Sequence, residues 1–177
     1  MQPNAALGFL AGVALLLVAT AACSESNSAQ AQLKDPGGRV VGEASLTATS
    51  DAGGVEIYLR VHDLPPGTHG VHIHDVGRCD PPEFTSAAGH FNSGGKQHGL
   101  ENPNGPHNGD LPNLIVQPDG AGALKAVTAR LQDLGEGQNF FNGDGVALVI
   151  HGGPDDQTSD PSGNSGPRIA CGQIIHD

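Results

Sequence analysis

The sequence predicts an all-β domain, a Greek-key flattened barrel or sandwich of about seven to eight antiparallel strands with two long functional loops. Three observations lead there. The 177 residues include 27 glycines and 13 prolines but no tryptophan, a composition that favours short strands separated by turns. Apolar and polar residues alternate with period two, most plainly where Val55, Ile57, Leu59 and Val61 interleave with Glu56, Tyr58 and Arg60. No stretch carries the periodicity of a helix of useful length.

The first 22 residues have no charged side chain and contain an apolar run, Phe9 to Val18, that ends in small residues. The run is short for a membrane span and reads as a signal peptide. Cys23 follows at once, an odd third cysteine beside Cys79 and Cys171, and its position predicts lipid attachment and a membrane anchor. Residues 24–32 are small and polar, so 23–38 is expected to be a lipidated cysteine on a flexible tether. The globular domain is then expected to span 39–177.

Within it, strands are expected at 40–49, 55–61, 69–74, 114–117, 123–131, 146–151 and 168–175. Asp51 to Gly54 is a hairpin signal, Leu64 to Gly67 turns the chain into the strand at 69–74, and Pro118 to Gly120 separates the next pair.

Six of the nine histidines fall between His69 and Asp110: His69, His72, His74, His90, His98 and His107. The rest of that stretch is mostly glycine, proline, asparagine and serine. A loop of this length inside a compact domain is functional or disordered, and a metal ion can supply order that the backbone lacks. His72 and His74, two apart on a strand, project from one face, while His69 shares the parity of Val71 and Ile73 and is expected in a core. His90, His98, His107 and Asp110 offer three imidazoles and a carboxylate, a closed set of the kind zinc takes in structural sites. A pair of strand imidazoles joined by others suits copper in a flattened nitrogen environment.

These motifs resemble the copper/zinc superoxide dismutase family, in its secreted bacterial form. The resemblance rests on GTHGVHIHD with a nearby cysteine, on AGHFN, on KQHGLENPNGPHNGDLPNL, on GVALVIHGGPDD and on GPRIACGQI. It covers residues 40–175. It implies dismutation of superoxide in the cell envelope, with one copper and one zinc per subunit. His72, His74, His90 and His151 resemble the copper ligands; His90, His98, His107 and Asp110 resemble the zinc ligands, so that His90 is shared. Asp155 resembles the aspartate that links a copper-side ring to a zinc-side ring. Arg168 resembles the arginine beside the copper channel, and it and His90 are the expected catalytic residues. A Cys79–Cys171 disulfide is implied as well, in keeping with export. His62 and His176 are expected to be exposed or locally bonded. Bacterial relatives include monomers and dimers, which leaves a homodimer open.

The net charge of −11, with eight basic residues scattered along the chain, argues against a nucleic-acid surface. It also works against attraction of an anionic substrate, and residues 152–167 contain Asp155, Asp156 and Asp160 but no lysine or arginine. Lys96 or Arg78 is the expected substitute. A non-catalytic copper/zinc buffer or delivery protein of the same fold is the alternative; an adhesion sandwich would leave the histidines unexplained.

Overall fold

A computed structural model describes residues 27–49, 53–131, 134 and 143–177. The expected signal peptide and Cys23 lie outside the described residues. Nine strands form a single antiparallel sheet among those described: β1 (Ser28–Lys34), β2 (Val40–Ala48), β3 (Val55–Val61), β4 (Gly67–His69), β5 (Val71–His74), β6 (Leu114–Val116), β7 (Gly122–Thr128), β8 (Val146–His151) and β9 (Arg168–His176). Their spatial order is β4-β6-β7-β3-β2-β1-β9-β8-β5. The two outermost strands, β4 and β5, are consecutive in the chain with Gly70 between them. That one residue joins the two ends of the sheet and rolls it into a nearly closed barrel.

The count exceeds the expected seven or eight for two reasons. The stretch at 69–74 divides at Gly70, since β4 pairs with β6 and β5 with β8. The segment read as tether contributes β1, which pairs with both β2 and β9, so the folded domain begins near Ser28 rather than at residue 39. In β1, Ala29, Ala31 and Leu33 face inward between exposed polar residues; two alanines make a faint period-two signal, and burial against strands on both sides decides the outcome.

The barrel interior is aliphatic, with Leu33, Leu46, Ile57, Leu59, Ile73, Leu114, Leu148 and Ile150 fully buried and Phe91 at one end. Strand β8 is buried on both faces. Val146, Leu148 and Ile150 fill the barrel, while Ala147 and Val149 pack outside it against Phe84, Ala87 and Cys171. This second cluster lies under the segment that leads from Cys79 to His90. The Cys79–Cys171 disulfide, with Cα atoms 5.6 Å apart and a separation of 92 residues, ties that segment to β9. Closing a loop of that size contributes about 4–5 kcal/mol in the chain-entropy estimate. The hairpin expected at Asp51 to Gly54 falls partly outside the described residues, yet Thr49 N–H donates to Gly54 O at 2.8 Å across it.

Candidate metal centre

Two histidine clusters meet on the outer face of the barrel, where His72 and His74 stand opposite Val149 and Ala147. Strand β5 presents His72 and His74, the end of β8 presents His151, and the long loop returns His90 against β5 through a bridge to His74. The loop is laid on β5 by main-chain bonds from Ile73 N–H to Gly109 O and from Phe91 N–H to Ile73 O, at 2.9 and 2.8 Å. His72, His74, His90 and His151 each offer a donor atom within 4.8 Å of the others. All four carry one buried ring nitrogen without a hydrogen-bond partner among the described residues: Nδ1 of His72 and Nε2 of His74, His90 and His151.

The opposite nitrogens fix the tautomers. His74 Nδ1–H donates to Ala88 O at 2.9 Å and His151 Nδ1–H to Gly166 O at 3.0 Å, so in both rings the lone pair is on Nε2. His72 is reversed: Nε2–H donates to Asp155 Oδ2 at 2.8 Å, leaving the lone pair on Nδ1. Burial also holds these rings neutral. It depresses His72 to about 3 and His151 to about 4, and it pushes His74 and His90 down as well. Four neutral imidazoles thus gather their donor atoms within one small space. A flattened nitrogen set with bonds of about 2 Å holds opposite donors roughly 4 Å apart, so the spread suits a copper ion.

The second cluster centres on Asp110. Its Oδ1 lies 3.0 Å from both His90 Nδ1 and His98 Nδ1, and 3.4 Å from His107 Nδ1. His107 Nδ1 and His90 Nδ1 are likewise 3.4 Å apart. A tetrahedral zinc site with bonds of about 2.0–2.1 Å separates its donors by roughly 3.3 Å, which these distances match. His72 falls in one candidate group with His90, His98 and Asp110, and His107 Nδ1 lies beside it, 3.4 Å from both Asp110 Oδ1 and His90 Nδ1. The other carboxylate oxygen, Oδ2, accepts from Gly99 and His107 main-chain N–H at 2.8 and 2.9 Å. Burial opposes ionisation of Asp110, but hydrogen bonds from His90, His98 and Gly99 outweigh it and keep the carboxyl far below its usual range.

Asp155 joins the clusters. Its Oδ2 accepts from His72 and its Oδ1 from His98 Nε2 at 3.0 Å. His98 therefore faces a carboxylate from each ring nitrogen. Burial lowers its pKa, yet the two hydrogen bonds prevail and raise it to about 9 in the absence of metal.

Arg168, the first residue of β9, directs its guanidinium at the carbonyls of Phe84 and Ala88. Ala88 O thus accepts from Arg168 and His74 together. Phe84 and Ala88 flank the 3-10 turn Thr85–Ala87 at φ 55° and 61°, and this unusual backbone turns both carbonyls toward the arginine. Arg168 lines a surface cleft of about 420 Å³ with Pro82, Glu83, Thr85, Gly166 and Pro167. Neither expected substitute cation is among these lining residues: Arg78 pairs with Asp80 in solvent, and Lys96 exchanges main-chain bonds with the Asn92 side chain within the long loop. His69, buried as expected, bridges Pro65 O and His151 O at 2.8 Å each, and His62 is exposed beside Asp63. The carbonyls of Phe84, Ala88 and Gly166 are the functional groups that sequence reading could not supply, because main-chain acceptors have no residue signature.

A nearly closed barrel bearing two adjoining, histidine-lined clusters that meet at His90 has the donor groups of a dinuclear metal-binding protein. Comparison with known proteins agrees and is more specific. The chain belongs to the copper/zinc superoxide dismutase family, whose model matches residues 40–174. It is 46% identical over 169 residues to superoxide dismutase [Cu-Zn] 2 of Aquifex aeolicus, covering 94% of this chain and 96% of that one. Among solved structures it resembles a SOD-like protein from Bacillus subtilis, with 40% identity, a TM-score of 0.76 and coverage of 82% and 97%. It also resembles the Cu/Zn superoxide dismutase of Brucella abortus, with 29% identity, a TM-score of 0.68 and coverage of 84% and 99%.

Proposed function

We propose that the protein dismutes superoxide, two anions and two protons giving one dioxygen and one hydrogen peroxide. In this reading His72, His74, His90 and His151 hold copper, and His90, His98, His107 and Asp110 hold zinc. The observation that carries it is the set of four buried, unpartnered ring nitrogens, one from each copper-side histidine. Buried polar atoms are otherwise nearly always paired. When bound, copper supplies one-electron chemistry and zinc supplies charge and order without redox chemistry of its own. The side chains do the rest. His90 has a nitrogen in each cluster, and its Nε2 can carry a proton to the product whenever that atom is free. Arg168 presents a fixed guanidinium at the cleft, where it attracts and orients a small anion. The Ala88, Gly166 and Asp155 acceptors keep the three other copper-side rings in the tautomer that binds metal.

His151→Ala tests the reading. It is expected to reduce superoxide consumption at least ~100-fold, beyond the range for loss of a supporting contact, while circular dichroism retains the strand signal. Full activity in that variant would overturn the copper assignment, and bound copper without turnover in the parent would leave a metal store rather than an enzyme.

Glu83 lines the cleft beside Arg168 and opposes approach of an anion in a protein already at −11. Glu83→Gln is expected to raise kcat/KM about threefold at low ionic strength, the gain shrinking as salt screens it. A salt-independent gain, or none, would remove Glu83 from the approach path.

The envelope location has support from the disulfide, which is consistent with export. The finer reading is that residues 1–22 direct export and that Cys23 carries the lipid anchor. Cys23→Ser should shift the protein from the membrane to the soluble fraction, and retention at the membrane would discard the anchor.

A further inference from the structure

The zinc-side loop is held from behind by a residue outside both ligand sets. Thr128 ends β7 and is buried, and its Oγ1 accepts from Arg130 N–H at 3.2 Å, fixing the turn that leaves the barrel. From that turn Arg130 Nη2 donates to the main-chain carbonyl of Asp110 at 2.6 Å. In return, Asn108 Nδ2 donates to Arg130 O at 3.0 Å. The two segments therefore exchange hydrogen bonds around Asp110, and Asn108 Oδ1 extends the clamp by accepting from Gly94 N–H at 3.0 Å.

The carboxylate itself can only swing about its own backbone position. Its Oδ2 is fastened to Gly99 and His107, both on the same loop, so those bonds move with the loop. The bond from Arg130 is different, because it reaches Asp110 from the end of β7, opposite in the chain to the bridge that His72 on β5 already makes with Asp110. Asp110 also attracts the guanidinium, partly offsetting the effect of burial on it.

We infer that Arg130 is a positioning residue for the zinc site: it grips the backbone of Asp110 from the barrel side and sets where Oδ1 meets the three imidazoles. This rests on the assignment of His90, His98, His107 and Asp110 as the zinc set. Two effects of Arg130 on zinc have opposite sign. Its positive charge repels the ion, while its clamp pre-forms the site. The clamp is taken to win, since the cation reaches Asp110 through a main-chain contact and the site needs its donors placed to within a fraction of an ångström.

The test uses the full chain loaded with copper, measuring zinc affinity by chelator competition and the visible spectrum with Co(II) in place of zinc. Arg130→Gln is expected to weaken zinc about tenfold and to alter the Co(II) bands, with copper affinity changed less than about twofold. Arg130→Lys keeps the charge and recovers part of the affinity. Leu124→Ala, a β7 core truncation away from the clamp, should lower thermal stability and leave zinc affinity within about twofold. Unchanged affinity and bands in Arg130→Gln would overturn the inference, as would tighter zinc binding, the mark of charge alone. An equal loss of zinc in Leu124→Ala would overturn it in favour of general destabilisation. Should Arg130→Gln fail to fold, Arg130→Lys decides alone: parental zinc affinity and Co(II) bands would overturn the inference. A parent that binds neither zinc nor Co(II) here would sink the ligand assignment with it.

Discussion

Asp155→Ala is expected to cost more than any other single change outside the ligands. The carboxylate accepts from His72 Nε2 and from His98 Nε2, and both rings are fully buried. Without it two buried N–H donors have no acceptor, at about 1–3 kcal/mol each. Each ring can also turn or change tautomer, so that His72 no longer keeps its lone pair on Nδ1. Support of this kind is worth about 10–100-fold in metal affinity per site. In the proposed assignment one carboxylate serves a ring of each site. Asp155→Ala should therefore lose both metals on dilution or mild chelation, and activity should fall about 100-fold or more with the copper. Asp155→Asn should be nearly as harmful, because an amide can accept from one ring but presents N–H to the other. Metal content by mass spectrometry, measured beside activity, checks this; a variant that retains both ions and full turnover would show that Asp155 supports neither.

The second large effect is that of metal removal on stability against pH. In the metal-free protein His72 and His151 are depressed from an ordinary 6.5 to about 3 and about 4, by burial first. The folded state keeps these rings neutral while the unfolded chain protonates them below 6.5. Their contribution is therefore intact above pH 6.5 and is lost as pH falls from there through about 4 and then about 3. His98, raised to about 9 by its two carboxylates against the opposing effect of burial, behaves in the reverse sense. Its contribution is complete below pH 6.5 and disappears as pH rises through about 9. The metal-free protein should thus be most stable close to pH 6.5 and weaken on both sides. If zinc takes His98 Nδ1 as proposed, its binding at pH 7.5 should release about one proton per ion, readable by calorimetry in buffers of different ionisation enthalpy. Structural zinc contributes on the order of 10 kcal/mol in small domains, so chelation should lower Tm by roughly 20 °C or more. A metal-free protein with the same Tm at pH 5 and pH 6.5 would contradict the account.

Much of this was legible in the sequence, for identifiable reasons. Strand β3 spans the expected residues because four aliphatic side chains alternate strictly with polar ones, and β8 does so because a short apolar run bounded by Gly145 and Gly152 suits a strand buried on both faces. The parity argument placed His72 and His74 on one face, where the structure has them. It could not say that His72 turns Nδ1 inward and His74 turns Nε2, since that depends on Asp155 and the Ala88 carbonyl, 83 and 14 residues away. β1 escaped notice because alanine and glutamine alternate too weakly to stand out from a tether. Glu83 and Arg130 had no motif around them; one matters through the cleft it lines, the other through a main-chain carbonyl, and only the folded chain brings either into play.

The way the long loop lies on β5 has a wider consequence. One edge of β5 pairs with β8, and the other is met by bridges from His72 to Asp110 and from His74 to His90. The residues that shield this seam, Asp110 and His90, belong to the proposed ligand sets. If ions held by those residues secure the loop on β5, stripped protein is the form expected to bare a hydrogen-bonding strand to an identical neighbour and to precipitate first.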